Sequence, residues 1–320
     1  MLQFAISSML SFVLAVGSSS TFVAAKSNRW AKVAEAGSGC FAPNCREGQF
    51  AMAIKPIEAF GGKLFLIGDK EVWVSENGTT WHSQPKTDWG QRYGMQFAFF
   101  RGKLWMLGGM HTWDDFRNDV WSSENGTEWK QVLVNAPWSK RRWHSVLVFD
   151  DRLWVIGGAL SSGLPGKTPT EFVNDVWSSA DGIEWRIEND STPLAFESGL
   201  SAVVFRGQIL AISGTGEVWS SKNAKDWKQI ARDLPWAGNG GSGVLVLKEK
   251  IWVLGGINRN DAWSSADGRQ WKREFAAAPW SKRNTEYSVA FKDKLWLFSG
   301  KTGRDDSWDG AIWAMSRESE

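Results

Sequence analysis

Tryptophan recurs in pairs along this chain, and the second member of each pair stands eight positions after the first. The five complete pairs are Trp73/Trp81, Trp121/Trp129, Trp177/Trp185, Trp219/Trp227 and Trp263/Trp271. Trp313 stands where a sixth pair would begin, so the first members, from Trp73 to Trp313 over five intervals, have a mean spacing of 48 residues. Self-similarity at such a spacing is the signature of a repeat architecture, in which each unit is one supersecondary element.

A short apolar run that ends in small residues repeats in phase with the tryptophans, at 63–68, 103–109, 152–158, 208–214, 250–256 and 294–300. Each run has the length of one strand; another apolar run and a tight polar turn precede it, and an Asp-Val-Trp-like strand follows. Before the second Trp come Asn-Gly or Asp-Gly dipeptides, which favour tight hairpin turns, at Asn125-Gly126, Asp181-Gly182 and Asp267-Gly268. Each unit is therefore predicted to have four antiparallel strands, named a to d from the hub outward.

A single four-stranded sheet buries neither face well, whereas copies arranged around an axis bury both faces against their neighbours. The chain is therefore predicted to be all-β, a six-bladed β-propeller with four-stranded antiparallel blades. Composition agrees, because 23 Trp and a hydrophobic content of 42% suit a protein that buries large flat side chains between sheets. We expect the Trp rings to pack over the Gly pairs that end the b strands.

The last unit has a third strand, around Trp313, but lacks its second Trp. The segment around Trp30 resembles the one around Trp129, because Ala-Pro and then Arg follow each of them. Residues around Trp30 are therefore predicted to supply strand d of blade six and to close the ring, which leaves no blade incomplete. Residues 26–320 are then one domain, with blades at approximately 46–91, 92–140, 141–196, 197–238, 239–282 and 283–320 plus 27–45.

The first 25 residues carry no charged side chain, contain an apolar stretch at 9–16 and end in Val23-Ala24-Ala25. This pattern predicts a signal peptide at 1–25 and a secreted or periplasmic mature protein. A retained membrane anchor is the alternative, although the apolar stretch is short for a span. After removal of the signal, we expect no transmembrane segment.

The net charge and the number of cysteines limit which partners and cofactors we expect. A formal net charge of +2 gives no reason to expect nucleic acid as a partner. Cys40 and Cys45 can close a small disulfide loop in an oxidising compartment, whereas a structural zinc site needs four ligands. We therefore expect no metal, no cofactor and a monomer.

The repeated units resemble kelch repeats. The resemblance covers nearly all of residues 27–320 and is carried by the motifs Arg141-x-x-His144-Ser145, Gly157-Gly158 and Asn174-Asp175-Val176-Trp177. It implies membership of the galactose oxidase/kelch-like superfamily, as a bacterial-type exported protein. The turn before Trp129 is also similar to the Asp-box of sialidase propellers, a structural hairpin that supports the fold and not sialidase chemistry.

In this topology the d–a loops and the b–c loops emerge on one face, which we call the loop face. The b–c loops are long in blades two, three and six, at 110–118, 159–174 and 301–309. Long loops on a rigid scaffold commonly carry binding residues, so this face is predicted to bind the ligand. The ligand-binding candidates on it are Arg46, Arg92, Tyr93, His111, Trp113, Arg141, Trp143, His144, Arg283 and Tyr287.

Two recurring residue types on the loop face have two interpretations each. The arginines before strand a, such as Arg92 and Arg141, either bond backbone carbonyls within the loops or bind an anionic ligand. Trp138, Trp236 and Trp280 follow Pro at matching places, and they are interpreted as repeated packing rather than as sugar-stacking platforms.

The leading functional hypothesis is a non-catalytic binding protein for a glycan or a protein partner. The runner-up is a sugar-acid mutarotase or epimerase of the kelch-propeller kind, with Glu197 and Glu286 as the acid/base pair. The third is a structural platform without a small ligand. The resemblance to galactose oxidase implies a copper radical oxidase, but its cross-linked cysteine has no counterpart here, since both cysteines lie in the closure loop. The residues favour a binding protein over an enzyme and leave both open.

Overall fold

The structure is a computed structural model. It describes residues 28–35, 55–67, 72–85, 87–90, 92–112, 114–160, 170–194, 200–237, 242–282, 287–298, 300–302, 307–309 and 311–317. The predicted signal segment 1–25 and the two cysteines lie outside the described residues. No helix occurs in the described part of the chain, and so none there is long and apolar enough to cross a membrane.

Six four-stranded antiparallel sheets form the blades. Blades one and two contain β2 (Lys55–Ala59), β3 (Lys63–Ile67), β4 (Val72–Ser75), β5 (His82–Ser83), β6 (Gln96–Phe100), β7 (Lys103–Thr112), β8 (Asp115–Ser123) and β9 (Lys130–Leu133). Blades three and four contain β10 (Ser145–Phe149), β11 (Arg152–Ala159), β12 (Phe172–Ser179), β13 (Trp185–Asn189), β14 (Leu200–Phe205), β15 (Gln208–Ser213), β16 (Val218–Ser221) and β17 (Lys228–Ala231). Blade five contains β18 (Gly243–Leu247), β19 (Lys250–Gly256), β20 (Arg259–Ser265) and β21 (Lys272–Phe275).

Blade six joins the two ends of the chain. Its strands are β22 (Ser288–Phe291), β23 (Lys294–Leu297), β26 (Ala311–Arg317) and β1 (Asn28–Glu35), in that order across the sheet. Trp30 lies opposite Met315, as Trp185 lies opposite Ser179 in blade three. Trp30 is buried and meets the Trp280 ring edge-on at 4.4 Å. The predicted six-bladed fold and its closure by an N-terminal strand are confirmed.

The glycines serve the fold in a different way from the one expected. A Cβ added at Gly182, in the c–d turn of blade three, would overlap the ring of Trp105 on strand b of blade two. Trp105 thus packs over the turn glycine of the next blade, as Trp296 does at Gly78, while Phe65 takes this place at Gly126. The Gly pairs instead face the d–a loops: a Cβ at Gly158 would lie 2.9 Å from His144 Cβ. The expectation that Trp rings cover the Gly pairs was wrong, because those pairs allow the loop backbone to approach.

The two faces of the ring differ in the length of their connections. The a–b turns contain two residues with positive φ, such as Asp150 and Asp151 at +49° and +51° in blade three. On the loop face, β7 and β8 extend beyond the other strands of blade two, and a small hairpin of β24 (Gly300–Thr302) and β25 (Ser307–Asp309) rises from blade six. Long connections on one face of a rigid ring leave that face as the place for a site.

Candidate functional site

A buried arginine fastens the loop before strand a in blade three. Arg141 is fully buried and donates from Nη1 and Nη2 to the two carboxylate oxygens of Asp175, at 2.6 and 2.9 Å. Nη1 also donates to the carbonyl of Gly157 at 2.9 Å, and Asp175 accepts a further bond from Trp177 Nε1 at 2.8 Å. A bidentate pair of this kind fixes both partners in one geometry.

Blade two repeats the arrangement. Arg92 is buried, bonds both carboxylate oxygens of Asp119 and donates to the carbonyl of Gly108 at 3.2 Å. Trp121 Nε1 donates to the same carboxylate at 2.8 Å. In both blades the guanidinium bonds a carbonyl and a carboxylate of its own blade, which is the loop-fastening interpretation of these arginines. Their role toward a ligand stays a prediction.

The fastened loop of blade three carries an exposed indole. Trp143 follows Arg141 by two residues, has a φ of +54° and is 46% exposed. Its backbone N–H donates to the carbonyl of Gly94 in blade two at 3.0 Å. Every other tryptophan whose burial the structure describes is buried or half-buried. A left-handed backbone is costly for a residue with a large side chain, so the surrounding structure must hold Trp143 there.

The support beneath Trp143 is Arg142. The guanidinium carbon of Arg142 lies 3.6 Å from the centre of the Trp143 ring and 5.4 Å from that of Phe116. Nη1 donates to the thioether sulfur of Met110 at 3.0 Å, and the whole residue is 1% exposed. Burial lowers the pKa of the Arg142 guanidinium to about 10, so the group stays protonated at neutral pH. A cation at this distance attracts the face of the indole ring.

The backbone of blade two brings polar residues to the loop that carries Trp143. Tyr93 is half-buried and exchanges backbone hydrogen bonds with Met110, both at 2.8 Å. His111 and Thr112 continue β7 and are exposed. We call Tyr93, Gly94, His111, Thr112 and Trp143 together the Trp143 patch. It combines one apolar ring with hydroxyl and imidazole groups, which is the composition of many small-ligand sites.

The other described candidates lie within the scaffold. His144 is 1% exposed, with its ring 6.0 Å from that of Trp138. Tyr287 is buried in the apolar cluster between blades six and one, with Trp296 and Phe298. The structure therefore places Trp143 beside the backbone of blade two that carries Tyr93 and His111, and it buries His144 and Tyr287. Candidates outside the described residues are Arg46, Trp113, Glu197, Arg283 and Glu286.

The tryptophans that follow Pro behave as packing residues. Trp138, Trp236 and Trp280 are each 1% exposed. Asn118 donates to the carbonyl of Trp138 at 2.9 Å, and Asn260 donates to that of Trp280 at 3.1 Å. Equivalent asparagines thus hold the d–a loops after blades two and five. The burial of these tryptophans agrees with the packing interpretation.

Sequence reasoning missed Arg142. The signal was present in the sequence. In blade three a second arginine, Arg142, follows the repeated Arg141, whereas in blade two Tyr93 follows the repeated Arg92. A departure from the repeat marks a residue that the scaffold does not require. Among the described residues, no three His, Cys, Asp or Glu side chains converge as metal ligands.

Comparison with known proteins supports the fold. No family model matches the chain, and no curated protein does. A solved structure described as the structure of YjhT matches with a TM-score of 0.65 at 13% identity, over 81% of this chain and 93% of that one. At this identity the likeness shows that the two chains share the β-propeller fold.

Proposed function

We propose that this chain is an exported, non-catalytic propeller with kelch-type units, and that it binds a glycan at the Trp143 patch. The observation that carries the proposal is the exposure of Trp143 in a chain that buries or half-buries its other described tryptophans. Tryptophan offers a flat apolar face together with a polar N–H, and it is enriched where proteins bind their partners.

The small size of the apolar surface favours a glycan over a protein. Stable protein–protein interfaces bury about 800 Å² on each partner and are built around several apolar anchors. On the described part of the loop face, the exposed large apolar side chains are Trp143 in the loop before blade three, Val134 in the loop after β9 and Ile257 in blade five, and they stand singly in sequence. One ring flanked by polar groups matches the size of a single sugar ring.

The fastening of the loop adds to this argument. Arg141 fixes the loop on Asp175, and Arg142 exchanges backbone hydrogen bonds with Ala159 at 2.9 and 3.0 Å. A platform that is already held in place loses little entropy when a ligand binds, and rigid sites bind more tightly for that reason.

The test is thermal unfolding of residues 26–320 with neutral sugars, sialic acids and uronic acids. A ligand at one hundred times its Kd stabilises the folded state by about 2.7 kcal/mol, which gives a visible shift in Tm. We expect Trp143→Ala to remove most of the shift and to leave only weak binding. Ile257→Ala is the matched control, because it removes an apolar side chain that is 51% exposed on the same face, and it should leave the shift intact.

Two results would contradict the proposal. A glycan that shifts Trp143→Ala as much as the parent protein binds elsewhere. A panel without any shift, combined with capture of a protein partner that Trp143→Ala abolishes, makes the patch a protein-binding site. For capture, the chain is best attached through its C-terminus: β26 ends at Arg317, opposite Asn28, on the face away from the b–c hairpins.

A further inference from the structure

We propose that Arg142 is a positioning residue of the glycan site, which acts on the ligand only through the ring of Trp143. This inference rests on the function proposed above. Gly94 of blade two completes the arrangement, because it leaves the space in which the two side chains stack. The inference adds Arg142 to the site as a residue that a ligand would not touch, and it gives Gly94 of the Trp143 patch a structural role.

Burial separates Arg142 from any ligand. Arg142 is 1% exposed, whereas Trp143, the next residue, is 46% exposed. The guanidinium lies 3.6 Å from the ring centre, which is the distance of two groups in face-to-face contact. A ligand on the exposed part of the indole would therefore have the ring between itself and the guanidinium.

Hydrogen bonds fix the backbone on both sides of Trp143, so only its side-chain torsions remain free to change. Arg142 N donates to Ala159 O at 3.0 Å, and Trp143 N donates to Gly94 O at 3.0 Å. The peptide before the ring is thus bonded to blade three and the peptide of the ring to blade two. With the backbone held on both sides, the contact with Arg142 decides which way the indole points.

Gly94 sets the room for this contact. Its φ is +64°, and an added Cβ would lie 2.9 Å from Arg142 Cβ and 3.1 Å from Trp143 Cδ1. Both distances are too short for the present positions of the side chains, so any other residue would displace the stack. Glycine is required here for close approach as well as for its backbone conformation.

Arginine suits the position better than other residues of similar length. Its guanidinium is planar and can lie flat on an indole, whereas the ammonium of lysine is a compact point charge. The ring of Phe116 and the sulfur of Met110 also contact the group, so its environment is apolar on these sides. Burying a guanidinium among such groups is unfavourable, and the stack on Trp143 offsets part of that cost.

The first experiment needs no ligand. The near-ultraviolet circular dichroism of the parent minus that of Trp143→Phe isolates the signal of the Trp143 ring, which is strong only if the ring is held in one orientation. We expect Arg142→Met to reduce this difference signal by at least half. A difference signal that is unchanged in the Arg142→Met background would overturn the positioning role. If Arg142→Met does not fold, Gly94→Ala provides the same test.

The second experiment measures the Kd of the glycan found by thermal unfolding. Loss of the stack should weaken binding about tenfold in Arg142→Met, the effect of a cation–π contact of ordinary strength. The double variant Arg142→Met/Trp143→Ala should bind no more weakly than Trp143→Ala alone. A further loss in the double variant would mean that Arg142 acts on the ligand independently of the ring.

Lysine distinguishes stacking from charge. Arg142→Lys retains the cation and loses the plane, so it should bind as weakly as Arg142→Met. Full affinity in Arg142→Lys would overturn the proposal in favour of a purely electrostatic role. Because the dichroism experiment is independent of any ligand, its failure counts against the positioning role alone, whereas the lack of any glycan binding counts against the proposed function.

Discussion

Blades three and five both pair an aspartate of strand c with an arginine, but the arginine comes from a different part of the blade. Each has an aspartate, half-buried in blade three and buried in blade five, that accepts a bond from a tryptophan two residues later, Asp175 with Trp177 and Asp261 with Trp263. In blade three the guanidinium that pairs with this aspartate comes from the d–a loop, as Arg141. In blade five it comes from the same strand, as Arg259.

The donor to the carbonyl at the end of strand b also differs between the two blades. In blade three, Gly157 O accepts from Arg141 at 2.9 Å, whereas in blade five the matching Gly255 O accepts from Ser242 Oγ at 3.2 Å. Blades three and five thus both place a cation on the aspartate and a donor on the carbonyl, and one loop residue supplies both only in blade three.

The difference between the blades concerns the site. When the loop supplies the arginine, the loop is fixed and can hold Arg142 and Trp143 in place beside it. When the strand supplies it, as in blade five, the loop is released from this task. Blade five is therefore an internal control. It has the arginine–aspartate pair, but none of its described tryptophans is exposed.

The largest expected effect comes from removing the loop arginine. Arg141→Met leaves the carboxylate of Asp175 without its cation and Gly157 O without its donor, and breaking a buried pair costs about 3–5 kcal/mol. Arg259→Met should cost about 1–2 kcal/mol, because the Arg259 side chain is 30% exposed and water can replace it. Urea unfolding at pH 7 measures both.

A double variant checks the cause. Asp175→Asn in the Arg141→Met background removes the unpaired charge and should recover at least half of the lost stability. Equal losses in blades three and five would show that the origin of the cation has no energetic consequence, and the comparison would then fail.

The repeat made the scaffold predictable. A tryptophan eight positions after the Trp of the third strand belongs to the same hairpin in each unit. The absence of this second Trp after Trp313 and its presence at Trp30 therefore locate the closure. The observed pairing of Trp30 with Met315 follows from that register. Periodic packing is readable from sequence, because each unit repeats the evidence of the others.

The site was only partly predictable, because it departs from the repeat. Trp143 was a candidate, yet its contacts reach Gly94 of another blade, and Arg142 contacts Met110 and Phe116 there. Contacts between blades that occur once leave no pattern in the sequence. A positive φ at a tryptophan is equally invisible, since the local sequence gives no reason to expect it.

The next effect concerns acid stability and uses another pair of matched residues. Ser178 bonds Glu188 in blade three and Ser264 bonds Glu274 in blade five, both at 2.7 Å. Burial raises the pKa of the Glu188 carboxyl, but hydrogen bonds from Lys225, Ser178 and Arg186 outweigh it and bring the pKa to about 2. Burial raises the pKa of the Glu274 carboxyl too, but hydrogen bonds from Lys272 and Ser264 outweigh it, so this pKa is also lowered.

A carboxyl with a pKa lowered by folding stabilises the protein above its unfolded pKa, and this contribution is lost as the pH falls toward the folded pKa. For Glu188 the window runs from 4.5 down to about 2. Glu188→Gln should therefore flatten the loss of stability between pH 4.5 and about pH 2, the interval between the unfolded and the folded pKa of this carboxyl. The effect should exceed that of Glu274→Gln, because Lys225 belongs to blade four and ties two blades together, whereas Lys250 and Lys272 belong to blade five itself. Urea unfolding at several pH values decides between the two.

The smallest effect lies on the opposite face, where blades three and five should behave alike. Each has an a–b turn of two residues in the left-handed region without glycine, Asp150-Asp151 and Lys248-Glu249. Asp151→Gly and Glu249→Gly should each stabilise the protein by about 0.5–1 kcal/mol, since glycine adopts a positive φ without the steric cost. The exposed ion pairs that are lost, to Arg101 and Arg206, contribute little.

Blade four offers the reverse change as a control for this prediction. Gly207 occupies the matching turn position with a φ of +71° and has no neighbouring atom within 4 Å of an added Cβ. Gly207→Ala should therefore lower stability by about 1 kcal/mol through the backbone alone, a fall in Tm of about 2–4 °C. If Asp151→Gly stabilised the protein and Glu249→Gly did not, blades three and five would differ in stability on the face of the a–b turns as well as on the loop face. Equal gains would confine the difference between the two blades to the loop face, where Arg141 holds the loop of Trp143.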